Sequence, residues 1–177
     1  FYELFKITAA TIGNLINASE LASTLGVSKT IIDRYLFVMQ KSFHLRLIRP
    51  FFRNVRKELR KMPKAYFYDL GLRNFFAGGF TGYAERTDRG ALLENAVFRQ
   101  LLDVVPEDDI KFWRTAGQHE VDFVLGNRAL EVKANPNQSR SGSMRAFREA
   151  YPDIPLEIIS FGPAQPSSPA FREVWEL

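Results

Sequence analysis

The sequence predicts a mixed α/β chain in two domains: a helix-rich one over residues 1–80 and one of α-β-β-β-α-β order over residues 81–177. Three observations predict it. In the first half, capped helices joined by a glycine turn lead into strand-like segments. A Gly-rich stretch, Ala77-Gly78-Gly79-Phe80-Thr81-Gly82, separates the halves. The charge also changes sign there. Residues 1–80 carry 13 Lys/Arg against 5 Asp/Glu, whereas residues 81–177 carry 11 against 15.

Residues 2–17 read as a helix, with Tyr2, Phe5 and Ile12 apolar and Gly13-Asn14 near its end. Ser19 is placed to cap a short helix over 20–25, which Gly26 ends. Ser28 caps the next helix, from Lys29 to about Lys41, with Ile31, Ile32, Tyr35, Leu36 and Val38 apolar. Phe43, Leu45, Leu47 and Ile48 then approach a period of two, and 65–68 forms a second strand. A helix-turn-helix followed by a β-hairpin is a winged helix. In the second half, Thr87 or Asp88 starts a longer helix that runs to about Val105. Strands follow over 110–115, 120–125 and 129–134, then a helix over 143–151 and a strand over 156–161. Gly126-Asn127 is a hairpin signal. The Pro-rich stretch 163–169 reads as loop.

With 46% hydrophobic and 25% charged residues, the composition is that of a folded globular chain. No apolar run approaches the ~20 residues of a membrane span. The absence of Cys excludes disulfides, Cys-ligated zinc, iron–sulfur clusters and thiol nucleophiles. Two His exclude a three-His metal site. No signal peptide is recognisable, so a cytoplasmic location and no membrane partner are expected. The chain opens at Phe1, which suggests a piece of a longer protein.

The chemistry concentrates in the hairpin 120–133. If Gly126-Asn127 is a two-residue turn, Leu125 faces Arg128, Phe123 faces Leu130, Asp122 faces Glu131 and Glu120 faces Lys133. Alternation then gives a core face of Val121, Phe123, Leu125, Leu130 and Val132. The other face carries Glu120, Asp122, Glu131 and Lys133. Opposed carboxylates repel. A divalent cation with oxygen ligands, Mg2+ or Mn2+, would relieve that repulsion. Lys133, on the same face, can position or help activate a water there. Glu94 lies in line with Phe98, Leu101 and Val105 on the apolar side of its helix. A carboxylate is costly to bury there without a partner.

Asp122, then Glu131-Val132-Lys133 on the next strand, with Glu94 on a preceding helix, resembles the PD-(D/E)xK restriction-endonuclease-like superfamily. More specifically, nearly the whole chain resembles the C-terminal half of bacterial and archaeal ATP-binding proteins of the AAA+ class. In those, a winged-helix segment leads into an uncharacterised nuclease-like domain. The phrases that carry this are Asn17-Ala18-Ser19-Glu20-Leu21-Ala22, Pro63 to Leu72, Leu92-Leu93-Glu94-Asn95, Glu120 to Val124 and Leu130 to Lys133. The resemblance implies Asp122 and Glu131 as metal ligands, the Val132 carbonyl as a backbone ligand, Lys133 as the catalytic lysine and Glu94 as an auxiliary acid. It implies hydrolysis of a phosphodiester with Mg2+ or Mn2+, and an N-terminal ATPase module as partner. His119-Glu120-Val121 stands before Asp122 where the superfamily pattern has a Pro. No G-x-x-x-x-G-K-[ST] occurs in the chain, so no P-loop ATP site is expected here.

The hairpin connection is strongly basic: Arg46, Arg49, Arg53, Arg56, Lys57, Arg60, Lys61 and Lys64 stand against Glu58 alone over 46–64. Such a wing is a footprint for phosphate backbone, with Arg53, Arg56 and Lys57 as contacts. Lys29 and Arg34 would lie at the N-terminal end of a recognition helix. Two functions follow as expectations. One is a Mg2+-dependent, DNA-binding nuclease-like effector tethered to an ATPase. The other is a catalytically silent module whose winged helix docks a protein.

Overall fold

The computed structural model describes residues 1–52, 62–135, 141–161 and 171–173. The chain is mixed α/β and divides into two compact units. The first comprises Phe1–Ile48 and Met62–Asn95; the second includes residues 49–52 and the described residues from Ala96 onward.

The first unit opens with α1 (Tyr2–Ala10), shorter than the expected 2–17. Near its end the Thr8 and Thr11 hydroxyls donate to the Leu4 and Ile7 carbonyls four residues back. Gly13 then takes φ +75°. From there the chain runs beside a strand: the Gly13 N–H donates to the Ala65 carbonyl at 3.1 Å, and that of Ile16 to Pro63 at 2.7 Å. Asn17, not Ser19, caps α2 (Ala18–Leu25), accepting from the Ser19 and Glu20 amides. Gly26 closes that helix in the left-handed region, and Ser28 caps α3 (Lys29–Lys41) as expected.

β1 (Leu45–Pro50) pairs antiparallel with β2 (Lys64–Phe67), in register from Leu45↔Phe67 to Ile48↔Lys64. Asp69 caps α4 (Leu70–Ala77), and α5 (Arg89–Leu101) begins in this unit. The core gathers Leu4, Phe5, Ile32, Leu36, Met39, Leu45 and Phe67, with Phe5 stacked on Phe76 at 4.6 Å. Arg73 is buried in α4. It donates to the Ala9 carbonyl and to Asp88, which also holds Arg86.

The second unit is built on a mixed sheet. Its strands are β3 (Lys111–Arg114), β4 (Glu120–Val124), β5 (Ala129–Lys133), β6 (Leu156–Ser160) and β7 (Phe171–Glu173). The order is β3-β4-β5-β6-β7, with Arg49 and Pro50 of β1 paired parallel to β3. β3-β4-β5 is an antiparallel meander, whereas β5-β6-β7 run parallel. Residues 171–173 add a strand that the sequence reading lacked. The helix α6 (Ser141–Ala150) lays Met144 and Phe147 against Trp113, Val121, Val124, Ala129, Leu156 and Ile158. Trp113 and Phe147 meet edge to face at 5.3 Å.

β4 carries a bulge. Lys111 pairs with Val124 and Trp113 with Val121, so β4 spends one residue more than β3 between the two pairs. The simple alternation expected for the hairpin is broken there. Val121 and Val124 share one cluster, and Val121 through Leu125 are buried on both sides of the strand. The expected division into one core face and one polar face is therefore corrected. A strand in the middle of a mixed sheet is covered on both faces, and its polar side chains are covered with it.

Candidate functional site

The hairpin register is the expected one. Phe123 pairs with Leu130 and Val124 with Ala129. The Leu125 N–H reaches the Arg128 carbonyl at 2.8 Å, and Gly126 takes φ +82° at the first central position of the turn. Regular pairing stops at Phe123↔Leu130, and at the bulge that follows the chemistry changes. The Val132 N–H donates to the Asp122 carboxylate Oδ2 at 2.8 Å. A side chain from the bulge thus takes the place of a strand carbonyl in the ladder.

Asp122 is 6% exposed and Glu131 fully buried. Lys133, two residues on and so on the same face as Glu131, has only 11% of its side chain exposed. Its Nζ donates to Glu131 Oε1. Three of the residues expected to act together, Asp122, Glu131 and Lys133, thus lie on two adjacent strands, with Glu131 paired to Lys133 and Asp122 bonded to the intervening Val132. The N–H and C=O of one residue leave a strand on the same edge. The Val132 carbonyl therefore projects toward β4, the strand that carries Asp122.

Two carboxylates and a carbonyl are hard oxygen donors, the class Mg2+ and Mn2+ take. A carboxylate has lone pairs for more than one partner, so the Val132 bond does not use up Asp122. The donor set fits such an ion. Among the described residues no cluster of three or more His, Asp or Glu side chains is arranged to hold a metal. An ion here would rely on the backbone carbonyl and on water.

Neighbouring groups are tied in other ways. Glu120 is in register with Arg114 on β3 and accepts from its guanidinium at 2.7 Å. The Glu120 N–H donates to Ser143 Oγ, at the start of α6, at 3.2 Å. His119 is exposed and follows Gln118, which sits at φ +62°.

Glu94 lies in the first unit, whereas Asp122, Glu131 and Lys133 lie in the second. It accepts from the ammonium of Lys64 at 3.1 Å and from the Tyr66 hydroxyl, both on β2. Gly13 crosses beside it so closely that a Cβ there would stand 3.1 Å from Oε1. The cost of burying Glu94 is thus met by a lysine thirty positions away, itself 1% exposed. Burial also removes Lys64 from the basic surface read in the sequence. Asn95, given no role by the sequence, clamps the next strand residue: it bonds both the N–H and the carbonyl of Phe67 at 2.8 Å.

Among the expected DNA contacts, Arg53, Arg56 and Lys57 lie outside the described residues. Lys29 is exposed and paired with Asp33 at 2.6 Å, and Arg34 is exposed on α3. The same helix shows Ile31, Phe37 and Val38 to solvent, at 39%, 57% and 41% exposure. No helix among the described residues is long and apolar enough to cross a membrane.

Residues 1–83 match the model of a domain of unknown function, DUF8612. Residues 89–162 match that of a second, DUF4143, a domain found in AAA-ATPase-associated proteins. The chain is similar to uncharacterised protein Rv2008c of Mycobacterium tuberculosis and uncharacterised protein Mb2031c of Mycobacterium bovis. Each is 34% identical over 140 residues, covering 76% of this chain and 32% of the relative. The chain thus spans about a third of the length of the curated relatives it matches. No solved structure matches it.

Proposed function

We propose that this chain is the C-terminal part of an AAA+-type ATP-binding protein, and that its second unit is a restriction-endonuclease-like module that hydrolyses phosphodiesters with Mg2+ or Mn2+. One observation carries the reading: the Asp122 carboxylate enters the β4–β5 ladder at Val132, beside the buried Glu131–Lys133 pair. The DUF4143 match and the greater length of the relatives support the tethered ATPase.

When bound, the ion supplies positive charge to a phosphate oxygen and lowers the pKa of a water. The protein's part follows from the residues themselves. Asp122 is held by the Val132 N–H, so its carboxylate is fixed before any ligand arrives. Glu131 is fully buried, which strengthens its pull on a cation. Lys133 stands two residues away on the same face and is a point charge for a phosphate oxygen or a proton relay to water. The first unit, read as a winged helix, would hold nucleic acid through Arg53, Arg56 and Lys57, with Lys29 and Arg34 on α3.

A second reading rests on a different observation. The outer face of α3 presents Ile31, Phe37 and Val38, apolar groups that have no use against phosphates. It makes the first unit a protein-docking element and the second a silent module, in which Lys133 neutralises Glu131 permanently.

Cleavage of supercoiled plasmid and of single-stranded DNA with Mg2+ or Mn2+ separates the two. Hydrolysis in the wild type, reduced roughly 10²-fold or more in Asp122→Asn and in Lys133→Ala, supports the nuclease. DNA left intact alike by wild type and Asp122→Asn contradicts it and favours docking.

A further inference from the structure

We propose that Ser160 is a positioning residue for Lys133, holding the lysine once Glu131 turns to a cation; the inference rests on the metal-site reading above. β5 and β6 run parallel in the register Glu131↔Ile158, Val132↔Ile159, Lys133↔Ser160. Register partners in parallel strands project to the same face and stand roughly one strand spacing, ~4.8 Å, apart. Ser160 is fully buried, and its hydroxyl has no hydrogen-bond partner among the described residues. A buried hydroxyl left unpaired is costly, and native proteins seldom leave one without a use.

The neighbour in register offers that use. Lys133 now donates to Glu131 Oε1. A cation on Glu131 competes for that carboxylate and repels the ammonium. With only 11% of its side chain exposed, Lys133 cannot simply turn its charge to bulk water. An ammonium has three donors, and a serine hydroxyl has two acceptor lone pairs. Ser160 Oγ, beside the lysine stem, is placed to receive it. The hydroxyl has no partner among the described residues while Lys133 pairs with Glu131, and is used when that pair opens. Among the described residues the charged groups beside this exchange are Asp122 on β4 and Glu131 on β5; on the far side the backbone of Ser160 is in register with residue 173 of β7.

The test uses the full 177-residue chain. Cation affinity is measured by calorimetry with MnCl2. The Lys133 ammonium is followed by 1H–15N spectra during titration with diamagnetic MgCl2, and Lys133→Arg assigns its signal. In the wild type, Mg2+ shifts that signal without removing it. Ser160→Ala keeps the metal-free signal, binds Mn2+ about five-fold more weakly, the loss of one ordinary hydrogen bond, and loses the ammonium signal to water exchange at Mg2+ saturation. Ser160→Thr, which keeps a hydroxyl, restores both. Equal affinity and an equal Mg2+-bound signal in wild type and Ser160→Ala overturn the role of Ser160 and leave the metal site standing. No response to either ion, in wild type and Asp122→Asn alike, overturns the metal site and this proposal with it.

Discussion

Asp88 shows how one carboxylate can organise a neighbourhood. It accepts from Arg86 at 2.7 Å and from Arg73 at 2.5 Å, and both guanidiniums are almost wholly buried. The Arg86 hydrogen bond, joined by Arg73 and opposed by burial, holds its carboxyl well below the usual carboxylate range. A carboxylate depressed in the folded state contributes stability that is fully present above its unfolded value, about pH 4. That stability is lost as pH falls through the lower folded value. Urea unfolding across pH 2–7 should show the wild type weakening below about pH 4. Asp88→Asn should be about 2 kcal/mol less stable at neutral pH and flatter in acid, since removing one partner strands buried arginines. Unchanged acid sensitivity in Asp88→Asn would assign the effect elsewhere. Sequence alone shows Asp88 only as a helix start; its partners, 15 and 2 positions away, are brought by the fold.

Among elements, β2 is the strand that needs most cover. Its outer edge would expose unpaired backbone groups. Residues 13–16 bond its first half, and the Asn95 side chain bonds Phe67 at both N–H and carbonyl. Asn95→Ala leaves two buried backbone groups without those partners, and chemical denaturation should read a loss of about 2–3 kcal/mol. A loss under half a kcal/mol would mean that the edge finds other partners. This also explains why the expected helix 2–17 stops at Ala10: the chain beyond it is recruited to a strand. The hairpin 120–133, by contrast, is legible from sequence, because Gly126-Asn127 and the alternating residues fix one register. The bulge at Asp122 is not legible, since it depends on how β3 counts residues against β4. Nor is β7, three residues beyond a Pro-rich stretch, whose pairing depends on β6.

At the scale of the whole molecule, each unit has its own core, and the predicted site residues divide between them. Asp122, Glu131 and Lys133 belong to the second, and Glu94 to the first with Lys64 and Tyr66. Composition and periodicity could place Glu94 on the apolar side of a helix but not find its partner on β2. The pairing of the two strands as far as Phe123 and Leu130 follows from turn and register, whereas the lysine's ion pair and the carboxylate in the ladder needed coordinates. The proposed function turns on whether the two acidic side chains take up a cation. The most direct measurement is a calorimetric titration of wild type and Asp122→Asn with MnCl2. The asparagine keeps an acceptor for the Val132 N–H and removes the charge, so the fold is retained. A saturable one-site heat in the wild type that vanishes in Asp122→Asn is the expected result; the same negligible heat from both proteins would contradict it.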